Sequence, residues 1–126
     1  MLNFLKQQFK GYKYIDTLNY ETVINDVAID NNKVIFKLDW EGVRVNSNLS
    51  ELISDCKNNN ISIIEKFTPL IGKPFLDYKN NEYAIYKITK HIACGLEFHF
   101  RSTKDTTIEH TLDLDELALV FKGFIK

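Results

Sequence analysis

The sequence predicts one α+β domain in which an antiparallel sheet is made of two three-stranded meanders, each followed by an amphipathic helix. Three features predict it. Runs of residues alternate between apolar and polar side chains, asparagine or glycine turns separate these runs, and two helical patterns begin with capping-box sequences. The chain has 126 residues, which suits a single domain. We therefore expect one domain over residues 1–126, with a soft internal seam near residues 60–80.

The first meander is predicted over residues 22–46. The asparagine pair at residues 31–32 suits a two-residue type I′ turn, because asparagine tolerates the positive φ that both central positions need. Counting outward from this turn places Val23 opposite Trp40 on the core face. A second turn at residues 41–42 then leads into the third strand.

The second meander is predicted to contain three strands, at residues 83–92, 96–101 and 106–112. A three-residue loop at residues 103–105 would join the last two of them. With that loop, Phe98 lies opposite His110 on the inner face, and His99 lies opposite Glu109 on the outer face. The second meander therefore repeats the plan of the first.

Helices are predicted after each meander. The first begins at Asn48, whose side chain forms a capping box with Glu51. The second is expected over residues 114–124 and begins in the same way, at Asp113 with Glu116. A short N-terminal helix is indicated by apolar residues that recur on one face: Leu2, Leu5 and Phe9.

The segment at residues 61–67 fits two structures. Its apolar residues suit a strand, whereas Ser62 and Glu65 would suit the start of a short helix that ends before Pro69. Both alternatives stay open, and the sequence does not assign the conformation of residues 68–80.

Composition argues against several classes of function. Sixteen Lys and Arg residues against 17 Asp and Glu residues give a net charge of −1, so a nucleic-acid partner is not expected. The apolar runs are far shorter than the roughly 20 residues of a membrane span. The first residues lack the pattern of a secretory signal, and Cys56 and Cys94 have no disulfide-framework spacing. We therefore expect a cytoplasmic protein with reduced thiols.

Metal binding is the first functional hypothesis for the second meander, because His91, Cys94, His99 and His110 lie close together in the sequence. A zinc ion needs three or four ligands that converge on one point. Strand alternation instead places His99 outward and His110 inward, and the pair of His91 with Cys94 supplies only two ligands. We expect no metal and no other cofactor.

Acid–base catalysis is the second hypothesis. Glu97, His99, Arg101 and Glu109 share the predicted outer face, and a carboxylate opposite a histidine is an arrangement that a general base uses. A small hydrolase or isomerase is therefore the alternative function. The structural explanation is preferred, since charged cross-strand pairs are common on the solvent face of an antiparallel sheet.

A reactive thiol at Cys94 is the third hypothesis, and it would require His91 to lower the pKa of that thiol. A small apolar side chain that fills a loop is the preferred interpretation of Cys94. The sequence also lacks a G-x-S-x-G nucleophile motif and a glycine-rich phosphate loop. An enzyme is therefore not the leading hypothesis.

The leading hypothesis is a non-catalytic protein-binding module, for example a small inhibitor or immunity protein that neutralises a toxin. Trp40 either closes the end of the core or anchors a partner, since exposed tryptophan is enriched in interface hot spots. We expect Asp39, Trp40 and Glu41 to contact a basic toxin domain. The abundance of Asn, Ile and Lys suggests an AT-rich microbial genome. The oligomeric state is not predicted.

Overall fold

A computed structural model describes residues 1–56, 60–91 and 93–124 and contains two antiparallel sheets and four α-helices in those ranges. The predicted α+β class with antiparallel sheet structure is therefore confirmed. The elements, in chain order, are α1 (Leu2–Phe9), β1 (Lys13–Ile15), β2 (Glu21–Asp30), β3 (Lys33–Trp40), β4 (Val43–Ser47), α2 (Leu49–Asp55), α3 (Asn60–Glu65), a 3₁₀ turn (Thr68–Leu70), β5 (Pro74–Asp77), β6 (Glu82–His91), β7 (Gly95–Ser102), β8 (Glu109–Leu112), α4 (Leu114–Val120) and β9 (Phe121–Phe124).

The two meanders are parts of larger sheets. The first sheet has the strand order β1-β2-β3-β4, so a short strand that the sequence does not reveal extends the first meander. The second sheet has the order β8-β7-β6-β5-β9, in which β5 and β9 extend the second meander. The segment around residues 61–67, which fitted either a strand or a helix, contains helix α3.

Both turns of the first meander have the backbone conformation that a type I′ turn requires. Asn31 and Asn32 have φ of 50° and 61°, and Glu41 and Gly42 have φ of 51° and 81°. Asparagine and glycine tolerate this conformation, whereas it is uncommon for glutamate. The two hairpins therefore form where the sequence places them.

The expected pairing of Val23 with Trp40 is wrong. Val23 lies opposite Asp39, and Thr22 lies opposite Trp40, because β2 contains a bulge at Asn25. Without the bulge, the polar side chain of Asn25 would point into the core. The extra residue therefore keeps Ile24 and Val27, which lie on either side of the bulge, on the buried face.

The register between β7 and β8 also differs from the expectation. His99 lies opposite Thr111 rather than Glu109, and Glu109 lies opposite Arg101. The loop is longer than three residues, because β8 begins only at Glu109, and an ion pair at 2.8 Å joins the side chains of Arg101 and Glu109. A slip of two residues leaves each side chain on its predicted face.

Helices α2 and α4 begin with the predicted capping boxes. The side-chain oxygen of Asn48 accepts a hydrogen bond from the Glu51 N–H at 2.8 Å, and Asp113 accepts one from Glu116 at the same distance. The Glu51 and Glu116 carboxylates accept the reciprocal hydrogen bonds. In addition, Asp115 of α4 accepts the Val34 N–H of β3 at 2.7 Å, which ties α4 to the first sheet.

The last helix is shorter than expected. The sequence predicts a helix over residues 114–124, but α4 ends at Val120 and the chain continues as β9. Phe121 fits the helical spacing of apolar residues, so sequence periodicity does not show the change. The strand forms because it pairs with β5, an interaction with a segment about 45 residues earlier in the chain.

A chain of phenylalanine rings joins the two sheets. Phe36 of β3 contacts Phe9 of α1 at a centroid distance of 5.2 Å, and Phe9 contacts Phe67 at 5.3 Å. Phe67 contacts Phe98 of β7 at 5.5 Å. All four side chains are fully buried, so one continuous hydrophobic core connects both halves of the chain.

We expect Phe67→Ala to lower the free energy of unfolding by about 3–5 kcal/mol, because it removes the ring that contacts both Phe9 and Phe98. Urea unfolding followed by circular dichroism measures this value. Tyr78→Ala is the control, since Tyr78 is exposed and should change stability by less than about 0.5 kcal/mol. Wild type should unfold in one transition, and two separate transitions would contradict a shared core.

Candidate binding surface

The core face of the first sheet continues past the part that the helices cover. Val43 lies opposite Trp40 and Val45 lies opposite Leu38, as the sequence predicts, so these four side chains share one face. Leu38 is buried and Trp40 is half-buried, but Val43 retains 53% of its exposure. The apolar face of the sheet is therefore open to solvent at the Trp40 end.

Residues from the connection between β1 and β2 enlarge this open area. Leu18 is 65% exposed, and the Tyr20 ring packs edge-on against the Trp40 ring at a centroid distance of 5.6 Å. We use the name Trp40 surface for these neighbouring side chains: Leu18, Tyr20, Trp40, Val43 and Val45. Single exposed apolar residues are ordinary, whereas a contiguous group is typical of an interaction site.

A carboxylate fixes the orientation of Trp40. The indole Nε1–H donates a hydrogen bond of 2.7 Å to Asp16 Oδ2. Asp16 Oδ1 accepts the backbone N–H groups of Leu18 and Tyr20, each at 2.9 Å. Asp16 is only 8% exposed, so the indole is held by a buried acceptor that also shapes the β1–β2 connection. Such an anchored ring loses little side-chain entropy when a partner binds.

A cavity of about 220 Å³ lies beside the indole. Its lining residues are Tyr14, Asp16, Thr17, Leu18, Thr22, Leu38, Trp40, Val45 and Asp55. Two carboxylates are among them, and none of the lining residues in the described part of the chain is Lys, Arg or His. The antiparallel bridge between Asp16 and Cys56 brings Asp55, the last residue of α2, to the edge of the cavity.

The electrostatics of this cavity favour groups without negative charge. Burial, together with the nearby carboxylates of Glu51 and Asp16, raises the pKa of Asp55. Burial also raises the pKa of Tyr14, and the charges of Asp55, Cys56 and Asp16 add to that effect. Negative charge in this region is therefore not balanced by the described side chains that line the cavity.

Thr22 contributes a buried hydroxyl to the same cavity. Thr22 is 2% exposed, and its Oγ1 has no hydrogen-bond partner among the described residues. Thr22 is close enough to the Tyr14 hydroxyl to lower the Tyr14 pKa, but the two hydroxyl groups do not have the geometry of a hydrogen bond. A buried hydroxyl without a partner is costly, so its position calls for an explanation.

The structure separates the three residues that the sequence predicts to contact a partner. Trp40 lies on the Trp40 surface, whereas Asp39 pairs with Arg44 on the opposite face, and its Oδ1 accepts the Gly42 N–H at 3.1 Å. Glu41 is exposed in the turn between the two strands. The carboxylates next to the indole are instead Asp16 and Asp55, neither of which is predicted from the sequence.

The predicted acid–base pair of His99 and Glu109 does not form. His99 Nε2 lies 2.8 Å from Thr89 Oγ1, and His99 Nδ1 lies 3.2 Å from Thr111 Oγ1. Both ring nitrogens therefore interact with hydroxyl groups. Glu97 is instead near His91, with 3.9 Å between its Oε1 and the His91 Nε2.

Glu109 belongs to a different cluster. Its hydrogen bond with the Arg101 guanidinium lowers the pKa of Glu109 and raises that of Arg101. The Arg101 guanidinium also lies over the Tyr86 ring at 3.8 Å. These contacts are typical of charged residues on the exposed face of a sheet. The lowered pKa makes Glu109 a weaker base.

The metal and thiol hypotheses also find little geometric support. Within residues 1–56, 60–91 and 93–124, no three His, Cys, Asp or Glu side chains are grouped so that they could hold a metal ion. His110 lies opposite Phe100, not Phe98, and is exposed beside the Tyr83 ring. Burial raises the pKa of Cys94, and the charges of Asp113 and Glu97 raise it further, which disfavours the thiolate.

No protein-family model, curated protein sequence or solved structure matches this chain. Among the residues that the structure describes, no helix has the length and apolar character needed to cross a membrane. The function of the site must therefore be inferred from its own geometry and charge.

We expect Asp16→Asn to lower the free energy of unfolding by about 1–3 kcal/mol, because an amide N–H₂ would then face the indole N–H of Trp40. Urea unfolding of the wild type, Asp16→Asn, Trp40→Phe and the double variant measures the coupling. The double variant should lose less stability than the sum of the two single variants, since it lacks the opposed donors. Additive losses would show that the hydrogen bond does not link these residues.

A second prediction concerns alkaline pH. An unfolded tyrosine ionises near pH 10, whereas burial keeps Tyr14 protonated in the folded state, so stability should fall as the pH rises above about 10. Urea midpoints at pH 8 and pH 11 should show that Tyr14→Phe loses about 1 kcal/mol less than wild type over this range. Tyr78→Phe is the exposed control, and equal losses in wild type and Tyr14→Phe would contradict the prediction.

Proposed function

We propose that this protein is a non-catalytic protein-binding module that uses the Trp40 surface to bind its partner. One observation carries the proposal. The apolar face of the first sheet is left uncovered around a tryptophan whose indole a buried carboxylate holds in place. Well-packed tryptophan and tyrosine side chains dominate the energetics of protein interfaces, and exposed Leu18 and Val43 would exclude water around them.

The charges around the surface favour a basic partner. Asp16 and Asp55 lie at the cavity, and Glu41 is exposed in the adjacent turn. Acidic groups at the edge of an interface raise the association rate with a positively charged partner and disfavour an acidic one. Asp39 lies on the reverse face, so its contribution would be to the long-range field rather than to direct contact beside the indole.

A small inhibitor or immunity protein that neutralises a basic toxin domain is the concrete form of this proposal. Such a protein needs a stable fold, a defined surface and no catalytic machinery, and it would act in the cytoplasm of the bacterial cell that makes it. The acid–base alternative requires a carboxylate next to His99, but the side chains that contact its ring nitrogens are Thr89 and Thr111.

The test is affinity capture from native lysate with variants matched for folding. We expect tagged wild type to capture one stoichiometric partner, and Val43→Lys to capture at least tenfold less, because a charge is introduced next to Trp40. Mass spectrometry against an untagged control quantifies the captured protein. Ile108→Lys is the matched control, since Ile108 is a similarly exposed apolar residue in the loop between β7 and β8.

Two outcomes would contradict the proposal: equal capture by wild type and Val43→Lys, or equal loss in Val43→Lys and Ile108→Lys. Once the partner is identified, Glu41→Lys should slow its association and weaken the salt dependence of the rate, which stopped-flow measurements can follow. An unchanged rate would remove Glu41 from the interacting surface.

A further inference from the structure

We infer that the cavity beside Trp40 receives the guanidinium group of an arginine side chain from the partner. This inference rests on the proposed function, because the arginine belongs to the protein that the Trp40 surface binds. Four features of the cavity support it: its size, its carboxylates, its aromatic wall and the buried hydroxyl of Thr22.

The size of the cavity suits a single side chain. Pockets for drug-sized ligands have volumes of roughly 300–1,000 Å³, and this cavity has about 220 Å³. It also opens on the Trp40 surface, since Leu18, Trp40 and Val45 belong to both. A side chain that projects from a docked partner can therefore enter the cavity without a change in the fold.

The carboxylates of the cavity favour the binding of a cation. Asp16 is more than nine-tenths buried, and its position next to the Asp16–Cys56 bridge brings it close enough to Asp55 to disfavour ionisation of that carboxyl group. A cation between the two carboxylates would relieve this repulsion. Asp16 Oδ2 already accepts the indole N–H, but a carboxylate oxygen can accept a second hydrogen bond.

The shape and polarity of the walls favour arginine over lysine. A guanidinium group is planar, so it can lie against the face of an aromatic ring while its N–H groups point in several directions at once. Trp40 supplies such a ring, and its contacts with Asp16 and Tyr20 hold it in position. An ammonium group is compact and strongly hydrated, and it would make less use of the apolar walls formed by Leu38 and Val45.

Thr22 supplies an independent indication that the cavity binds a polar group. Thr22 lines the cavity, and its buried hydroxyl has no hydrogen-bond partner among the described residues. The bulge at Asn25 places Thr22, rather than Val23, opposite Trp40. A hydroxyl at this position can accept a hydrogen bond from a guanidinium N–H once the neighbouring side chains adjust around a ligand.

The experiment uses the only tryptophan of the chain as a reporter. N-acetyl-arginine amide is titrated into ¹⁵N-labelled protein, and the indole Nε1–H signal of Trp40 is followed by NMR. We expect a saturable shift with a Kd of about a millimolar, as suits one side chain without the rest of an interface. N-acetyl-citrulline amide, which has nearly the same shape without the charge, should produce no saturable shift.

Variants show whether the ligand binds in this cavity. Asp55→Asn should weaken binding of N-acetyl-arginine amide about fivefold, because it removes one charge beside the ligand. Folding should persist, since the environment of Asp55 already disfavours its charged form. Asp105→Asn is the matched control in the second half of the chain, where the Asp105 carboxylate accepts hydrogen bonds from Thr107, and it should bind like wild type.

Several results would overturn the inference: no saturable shift with the arginine compound, an equal shift with the citrulline compound, an equal affinity for N-acetyl-lysine amide, or unchanged binding by Asp55→Asn. The comparison between arginine and citrulline uses wild-type protein, so it does not depend on the folding of any variant. A failure here is distinguishable from a failure of the proposed function. If Val43→Lys loses partner capture and Asp55→Asn keeps it, the proposal that the Trp40 surface binds the partner stands, and the inference of an arginine in the cavity fails.

Discussion

The contacts that Phe67 makes with Phe9 and Phe98 join the two halves of this fold. Phe9 reaches Phe36 in the first sheet and Phe98 lies in the second, so the sheets share a core through these rings and the apolar residues packed around them. The position of α2 depends on the same core, because its buried residues face it. Since α2 ends at Asp55, the packing of the rings also determines where that carboxylate lies relative to Trp40.

Local features of the fold could be predicted from the sequence, and features that depend on distant pairing could not. The asparagine and glycine turns and the two capping boxes are determined by residues within a few positions of one another. Strand β9 forms by pairing with β5 across about 45 residues, and neither β9 nor β5, which also pairs with β6, has a pattern that identifies it alone. The bulge at Asn25 could have been predicted from the sequence, because a regular register would place that polar side chain in the core.

Only part of the candidate site could be predicted from the sequence. Trp40 could be identified because it is the only tryptophan and lies beside a turn. Acidic neighbours in the sequence suggested Asp39 and Glu41, but adjacent residues of a strand point to opposite faces. The acids that approach the indole are 24 and 15 residues away in the chain, and they arrive through the β1–β2 connection and the end of α2. The sequence feature that could have identified Asp16 is the turn around it, in which its Oδ1 accepts two backbone N–H groups.

The bulge in β2 separates the segment of the strand that pairs next to Trp40 from the segment that leads to the hairpin at Asn31. A chain without Asn25 would keep every partner that β2 has in β3, because the bulged residue itself has none. What would change is the local twist, which a bulge increases. The end of the sheet that carries Trp40 would then be rotated relative to the hairpin at Asn31. The length of β2 therefore determines the direction in which the Trp40 surface faces, whereas the side chains of that surface determine what it can bind.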